Sequence, residues 1–185
     1  MIACHVFPPP PTSNDAPKAS QGFLDTVQKQ LGSVPNLFRI ISNSPAALEG
    51  YLGLNRALSC GELNPATRER IALAVAETNG CGYCLAAHTY LGKIVAQLSD
   101  EEMQANREGR STDAKADVAV RFAAEIAQNR GKVTIKSVEA VKTEGYSDAE
   151  IVEIVAHVAL NTLTNYVNEA LGTEIDFPQV ENLAA

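Results

Sequence analysis

The sequence predicts an all-α fold, a single-domain helical bundle of about seven to nine helices. Three observations carry that reading. Apolar residues recur at three- and four-residue spacing, helix start and stop residues punctuate most of the chain, and no segment sustains the alternation of a strand. With 185 residues, 45% of them hydrophobic and 20% charged, the chain suffices for one well-cored domain.

Residues 1–19 read as an extended N-terminal arm, because Pro8 to Pro11 is followed by a polar Thr/Ser/Asn/Asp/Lys segment. The arm is either a disordered tail or a piece that wraps a neighbouring subunit. Residues 20–185 form the helical domain. Ser20 opens a first helix with Phe23, Val27 and Leu31, which Gly32 closes. A short piece follows over Pro35 to Ile41, and Ser44-Pro45 starts a longer helix carrying Leu48, Tyr51, Leu52, Leu54 and Leu58. Asn64 caps a helix over 64–78 with Pro65 in its first turn, and Asn79-Gly80 stops it. The next helix starts at or just before Cys81 and runs to about Gln97 on Leu85, Leu91, Ile94, Val95 and Leu98.

Ser99 to Glu102 reads as a capping box for a short helix ending near Gly109. Thr112 or Asp113 begins a helix through Val118, Phe122 and Ile126, and Thr134 one through Val138 and Val141. A second box, Ser147 to Glu150, heads a long helix through Ile151, Ile154, Val155, Val158, Leu160, Leu163, Val167 and Leu171 to Gly172. Leu63 to Ala76 and Tyr146 to Ala159 echo one another weakly. They are either equivalent helices on two sides of one core or two capped amphipathic helices alike by chance.

A net charge of −7, with no basic run interleaved with aromatics, argues against a nucleic-acid surface. No apolar run approaches a membrane span. The residues after Met1 lack a basic start and a long apolar region, so the expected compartment is the cytoplasm, where the four cysteines are thiols rather than a disulfide frame.

The chemistry gathers at Cys81-Gly-Tyr-Cys84-Leu-Ala-Ala-His88, with Glu69 twelve positions before Cys81. A thiolate is the nucleophile and needs a base to make it. Both sulfurs fall at a helix start, where free N–H groups favour a thiolate, and Cys84 and His88 share a face. At about 1.5 Å per residue, Glu69 lies roughly 15 Å before the Asn79-Gly80 turn and His88 roughly 10 to 12 Å beyond it. If the two helices fold back on each other, acid, imidazole and thiol form an orienter, base and nucleophile chain. The sulfurs are then expected to face a solvent-reachable cleft.

Glu69, eleven intervening positions and Cys81-x-x-Cys84-x-x-x-His88 resemble the motif of the alkylhydroperoxidase D-like branch of the carboxymuconolactone decarboxylase family, the peroxidase-related proteins. Pro35 to Phe38, Leu63 to His88, Lys115 to Asp117 and Asn161 to Pro178 also resemble that branch. The resemblance implies an all-helical fold, assembly into trimers or hexamers, and reduction of a hydroperoxide substrate. It implies Cys84 as peroxidatic nucleophile, Cys81 as resolving thiol and Glu69 with His88 as proton relay. It also implies an external dithiol reductant, lipoyl or thioredoxin-like, and no organic cofactor or metal. Tyr83 stands where some members carry a histidine, and a phenol takes up protons poorly at neutral pH. The decarboxylase branch works without a redox cysteine pair, so the dithiol argues against lactone decarboxylation.

Other readings of the same residues stay open. Cys81, Cys84 and His88 with Glu69 or Cys60 make a possible zinc set in a non-catalytic binding protein. The cysteines are alternatively buried small hydrophobes. Tyr83 is a packing residue or a wall of the site. His157, Asn161, Thr164 and Asn168 form a polar stripe on the last helix that lines a pocket, meets another subunit, or is buried and satisfied by neighbours. Cys4, His5 and Cys60 have no evident role.

Overall fold

The computed structural model describes residues 12–180. Nine α-helices and one 3-10 turn make up their regular structure, with no strand. The helices are α1 (Lys18–Leu31), α2 (Asn36–Ile41), α3 (Pro45–Ser59), α4 (Pro65–Thr78), α5 (Gly82–Ile94), α6 (Asp100–Arg107), α7 (Ala114–Gln128), α8 (Ile135–Thr143) and α9 (Asp148–Leu171). The all-α bundle expected from sequence is the observed architecture, and no helix of the described residues is long and apolar enough to cross a membrane. Cys4, His5 and most of the expected arm lie outside the described residues.

Helix α4 is the axis of the bundle and packs against α5, α6, α7 and α9. Its six consecutive residues Ile71 to Ala76 are all buried, the pattern of a helix covered on every side. One core joins Leu63, Ile71 and Val75 to Tyr146, Ile154 and Val158. These six sit at matching positions of the echo seen in the sequence, so α4 and α9 meet one core through equivalent residues.

The expected caps form. Ser44, Asn64, Ser99, Asp113, Thr134 and Ser147 each accept the N–H three residues on, and Ser147 with Glu150 closes a full capping box. Three expectations are corrected. The first helix begins at Lys18, not Ser20, whose buried hydroxyl donates to the Ser42 carbonyl at 2.6 Å and ties α1 to α2. Helix α5 ends at Ile94, short of Gln97, because Gln97 turns left-handed and the Leu98 N–H reaches back to the Gly92 carbonyl at 2.9 Å. Leu98 is thereby buried while Ile94 and Val95 are exposed. The box at Ser99 is half made: the buried Glu102 carboxylate instead takes Arg70 Nε (2.6 Å), Asn106, Ser111 and Thr112.

Helix α9 inverts the usual amphipathic sense along part of its length. His157, Asn161, Thr164, Asn165 and Asn168 are buried, whereas Val152, Val155, Leu163 and Tyr166 are exposed. Burying five polar side chains is costly unless they are bonded, so they need partners inside the bundle.

Candidate active site

A reversal of the chain between α4 and α5 builds the site. Asn79 ends α4, and Gly80 follows at φ +67°, a left-handed position that glycine adopts without strain. The Cys81 N–H reaches the Ala76 carbonyl (2.9 Å) and the Gly80 N–H that of Glu77 (3.0 Å), a Schellman closure. Asn79 Nδ2 donates to Asn165 Oδ1 at 2.8 Å, pinning the turn to α9. The two helices run back along each other, and Glu69 Oε2 meets His88 Nδ1 at 2.8 Å.

Cys81 is the N-cap of α5 and its sulfur accepts the Cys84 N–H at 3.3 Å. Cys84 lies in the first helical turn. From α9, Asn168 Nδ2 donates to Cys84 Sγ at 3.2 Å, and Thr164 Oγ1 lies 4.0 Å from the same atom. The polar stripe of the last helix therefore faces the sulfur. Asn161 Nδ2 donates to the His157 carbonyl, and Thr164 Oγ1 to that of Asn161. Asn168 Oδ1 is buried with no hydrogen-bond partner among the described residues.

These contacts divide the two thiols. A hydrogen bond from Cys81 is the chief cause that holds the Cys84 thiol down at about 6. Burial opposes it, and the charge of His88 with the amides of Asn165 and Asn168 adds to the lowering. Cys81 is driven well above the ordinary thiol range, by its bond to the Cys84 thiolate first and by burial second. Burial pulls the His88 imidazole down, but the charge and hydrogen bond of Glu69 more than offset this, with help from Cys84 and Asn161, so its net shift is upward. The two thiols are thus pushed in opposite directions, Cys84 toward the thiolate and Cys81 toward the thiol.

Tyr83, between the two cysteines, belongs to a clasp. Its hydroxyl donates to Asp176 Oδ1 at 2.8 Å and accepts the Leu37 N–H at 3.2 Å. Asp176 Oδ2 takes the Asn36 N–H at 2.8 Å, and Asn36 Nδ2 donates to the Glu174 carbonyl at 3.1 Å. Phe177 stands edge-on to Tyr83, with ring centroids 5.7 Å apart. Residues 173–178 thus form a strap across the start of α5. Burial, chiefly, pushes the Tyr83 phenol far above its usual range.

The sulfurs do not face an open cleft, contrary to expectation: Cys81 is 0% and Cys84 2% exposed. An apolar groove of about 280 Å³ lies between the α2–α3 corner and α9, with Tyr51 on its wall and neither cysteine in its lining. The zinc set is not assembled. Among the described residues no group of three or more His, Cys, Asp and Glu is placed to hold a metal, and Cys60 is exposed at the end of α3.

Residues 45–129, which span α3 to α7 and hold all of Glu69, Cys81, Cys84 and His88, match the sequence profile of the carboxymuconolactone decarboxylase family. Over that stretch, just under half of its length, the chain is similar to this family. Its fold is similar to the alkylhydroperoxidase core of an uncharacterised peroxidase-related protein from Ralstonia eutropha, with TM-score 0.81, 22% identity and coverage of 91% of each chain. An uncharacterised peroxidase-related protein from Silicibacter is similar with TM-score 0.76 and 23% identity, over 94% of this chain and 90% of that one. A debrominase solved with 2,3,4-tribromopyrrole has TM-score 0.75 and 18% identity, over 91% of this chain and 90% of that one. A comparison with curated proteins found no match.

The structure pairs Glu69 with His88 and Cys81 with Cys84, while the Tyr83 hydroxyl goes to Leu37 and Asp176. Sequence reasoning placed Asn168 in the polar stripe without its bond to Cys84, and it missed Asn165 and Asp176. The polar residues at helical spacing inside the apolar run of α9 were the signal for Asn168 and extend to Asn165. Asp176 carried none beyond its place in the family-like closing stretch.

Proposed function

We propose that this protein is a thiol-dependent peroxidase that reduces hydroperoxides with the Cys81/Cys84 pair. What supports this most is the polarised dithiol: a Cys84 thiol lowered by the hydrogen bond from Cys81 and then by His88, Asn165 and Asn168, beside a Cys81 thiol driven upward. The Cys84 thiolate attacks the terminal oxygen of R–O–O–H, so that an S–O bond forms as the O–O bond breaks. The departing alkoxide takes a proton relayed from the His88 imidazolium, which Glu69 orients and keeps charged. Cys81 sulfur then attacks the sulfenic acid. The disulfide forms, and hydroxide leaves as water with the Cys81 proton.

Two electrons have passed from two thiols to the peroxide. An external dithiol, lipoyl or thioredoxin-like, returns them and is itself oxidised to a disulfide. The setting is a reducing cytoplasm. The working form is a homo-oligomer, trimer or hexamer, for which the exposed apolar stripe of α9 is the natural contact. The test is peroxide consumption with a dithiol supplied. Cys84→Ser should abolish it, and mass measurement after one equivalent of peroxide should find two hydrogens lost from the Cys81/Cys84 peptide. Unchanged turnover in both Cys81→Ser and Cys84→Ser overturns the proposal.

A further inference from the structure

Two buried amide atoms of α9 have no bond to make in the reduced protein. Asn165 Nδ2, a donor, and Asn168 Oδ1, an acceptor, lack a hydrogen-bond partner among the described residues, and their residues are 0% and 2% exposed. A buried polar group without a partner costs stability, so its retention calls for a state in which it is satisfied. The other end of each amide is fixed. Asn165 Oδ1 takes Asn79 Nδ2 at 2.8 Å, and Asn168 Nδ2 donates to Cys84 Sγ at 3.2 Å. The Asn165 amide is also among the groups that lower the Cys84 thiol, although its Nδ2 makes no direct bond to the sulfur.

One idle donor and one idle acceptor are the complement of a hydroxyl. Reduced Cys84 carries none; it gains one when its thiolate has taken an oxygen. Cys81 then has to displace that oxygen, and its sulfur stands at the start of α5, where it accepts the Cys84 N–H at 3.3 Å. Displacement at sulfur runs in line, so the oxygen leaves on the side away from Cys81. Thr164 and Asn168 approach Cys84 Sγ from α9, a different element.

We propose that Asn165 and Asn168 form the leaving-group site for Cys84–S–O–H, with Asn165 Nδ2 donating to the oxygen and Asn168 Oδ1 accepting its proton. The proposal rests on the peroxide reading above and adds to it two residues that act after the oxidant has gone. In this step the S–S bond forms from Cys81 as the S–O bond breaks. The oxygen departs with the bonding pair and leaves as water with the Cys81 proton, and no further oxidant is needed. The Asn165 donor is unused in the reduced state and engaged most strongly as charge builds on the oxygen. An interaction made chiefly in the transition state speeds the step.

The test follows closure of the disulfide rather than turnover. Reduced full-length protein meets excess hydrogen peroxide in mildly alkaline buffer, which keeps Cys84 ionised in every variant. Timed samples are quenched into denaturant holding dimedone and N-ethylmaleimide. The dimedone-labelled Cys84 peptide reports the sulfenic acid, and the linked Cys81–Cys84 peptide reports its closure. Asn165→Leu removes the donor at similar volume, whereas Asn165→Asp removes it and keeps an oxygen for Asn79 Nδ2. Both should slow closure about ten-fold, the worth of one hydrogen bond in the transition state. A closure rate unchanged in either variant overturns the site: a change in Asn165→Leu alone is lost packing, and one in Asn165→Asp alone is the added charge. Cys84 left unoxidised in the wild type by millimolar peroxide overturns it too. Slow closure in both variants of a protein that shows no turnover with a dithiol supports the site and sinks the peroxidase reading.

Discussion

Glu69 Oε2 sits 2.8 Å from His88 Nδ1 across the α4–α5 interface, with both side chains about four-fifths buried. This contact favours the charged imidazole against the pull of burial, and that charge adds to the Cys81 hydrogen bond in lowering the Cys84 thiol. Glu69→Gln leaves a hydrogen bond but removes the charge. The expected outcome is a fall of about 10² in the rate of Cys84 with peroxide at neutral pH. The pH midpoint for Cys84 alkylation should rise relative to that of the wild type. An unshifted midpoint removes the relay.

The lowered Cys84 thiol also sets a stability trend. A group whose folded pKa is depressed stabilises the fold above its unfolded pKa and loses that contribution as pH falls through the folded value. Denaturant midpoints of the reduced protein should therefore decline as pH drops from the ordinary thiol range through about 6. Cys84→Ser should lack that decline.

Asn168→Leu removes the donor 3.2 Å from Cys84 Sγ without emptying the space. A hydrogen bond to a charged group is worth about 1.5–3 kcal/mol, so the Cys84 midpoint should rise by about one to two units. Asn168→Asp should raise it further by setting a second negative charge at the sulfur. A midpoint that stays near 6 in both variants shows that the amide does not hold the thiolate.

Glu102 serves stability rather than chemistry. Burial resists its ionisation, yet the bonds from Ser111, Thr112 and Asn106 prevail and hold its carboxyl at about 2. Its contribution is complete above the ordinary carboxylate range and is lost as pH falls toward 2. Glu102→Gln should cost about 3 kcal/mol at neutral pH, because Arg70 and Thr112 lose a charged acceptor. It should also flatten the acid limb of a stability-against-pH curve. Wild-type stability for Glu102→Gln rules out this network as a keystone of α4, α6 and α7.

The exposed stripe Val152, Val155, Leu163 and Tyr166 should lie between subunits. Tyr166→Glu, at a position 62% exposed, places a charge on that stripe at little cost to the monomer. Sedimentation should then show a smaller species than wild type. An identical assembly directs the search for the subunit contact to another face.

The Glu69–His88 contact was legible because both helices and their turn announce themselves locally. Asn64-Pro65 starts one, Asn79-Gly80 ends it, and a fixed rise per residue does the rest. Pairing α9 with α5 has no such ruler: Cys84 and Asn168 lie 84 positions apart, and which way α9 rolls depends on the whole bundle. The apolar pattern there suggested Leu163 and Val155 as core, yet the structure turns them outward so that Asn and Thr can meet the sulfur. Asp176 was illegible for a different reason. It lies in an irregular segment with no periodicity, and its partners Tyr83 and Asn36 are remote in sequence.

The strap that carries Asp176 bears on timing. In the proposed cycle a dithiol must bring its own sulfur in line with an S–S bond between two buried residues, Cys81 and Cys84. Under the proposed cycle the tail would act as a latch on the recharging half. Asp176→Asn or Phe177→Ala should quicken recovery of the spent pair by dithiothreitol and leave the first, oxidising event at its former pace. Turnover would then keep the rhythm of a phenol and a carboxylate parting, not that of the sulfur chemistry they cover.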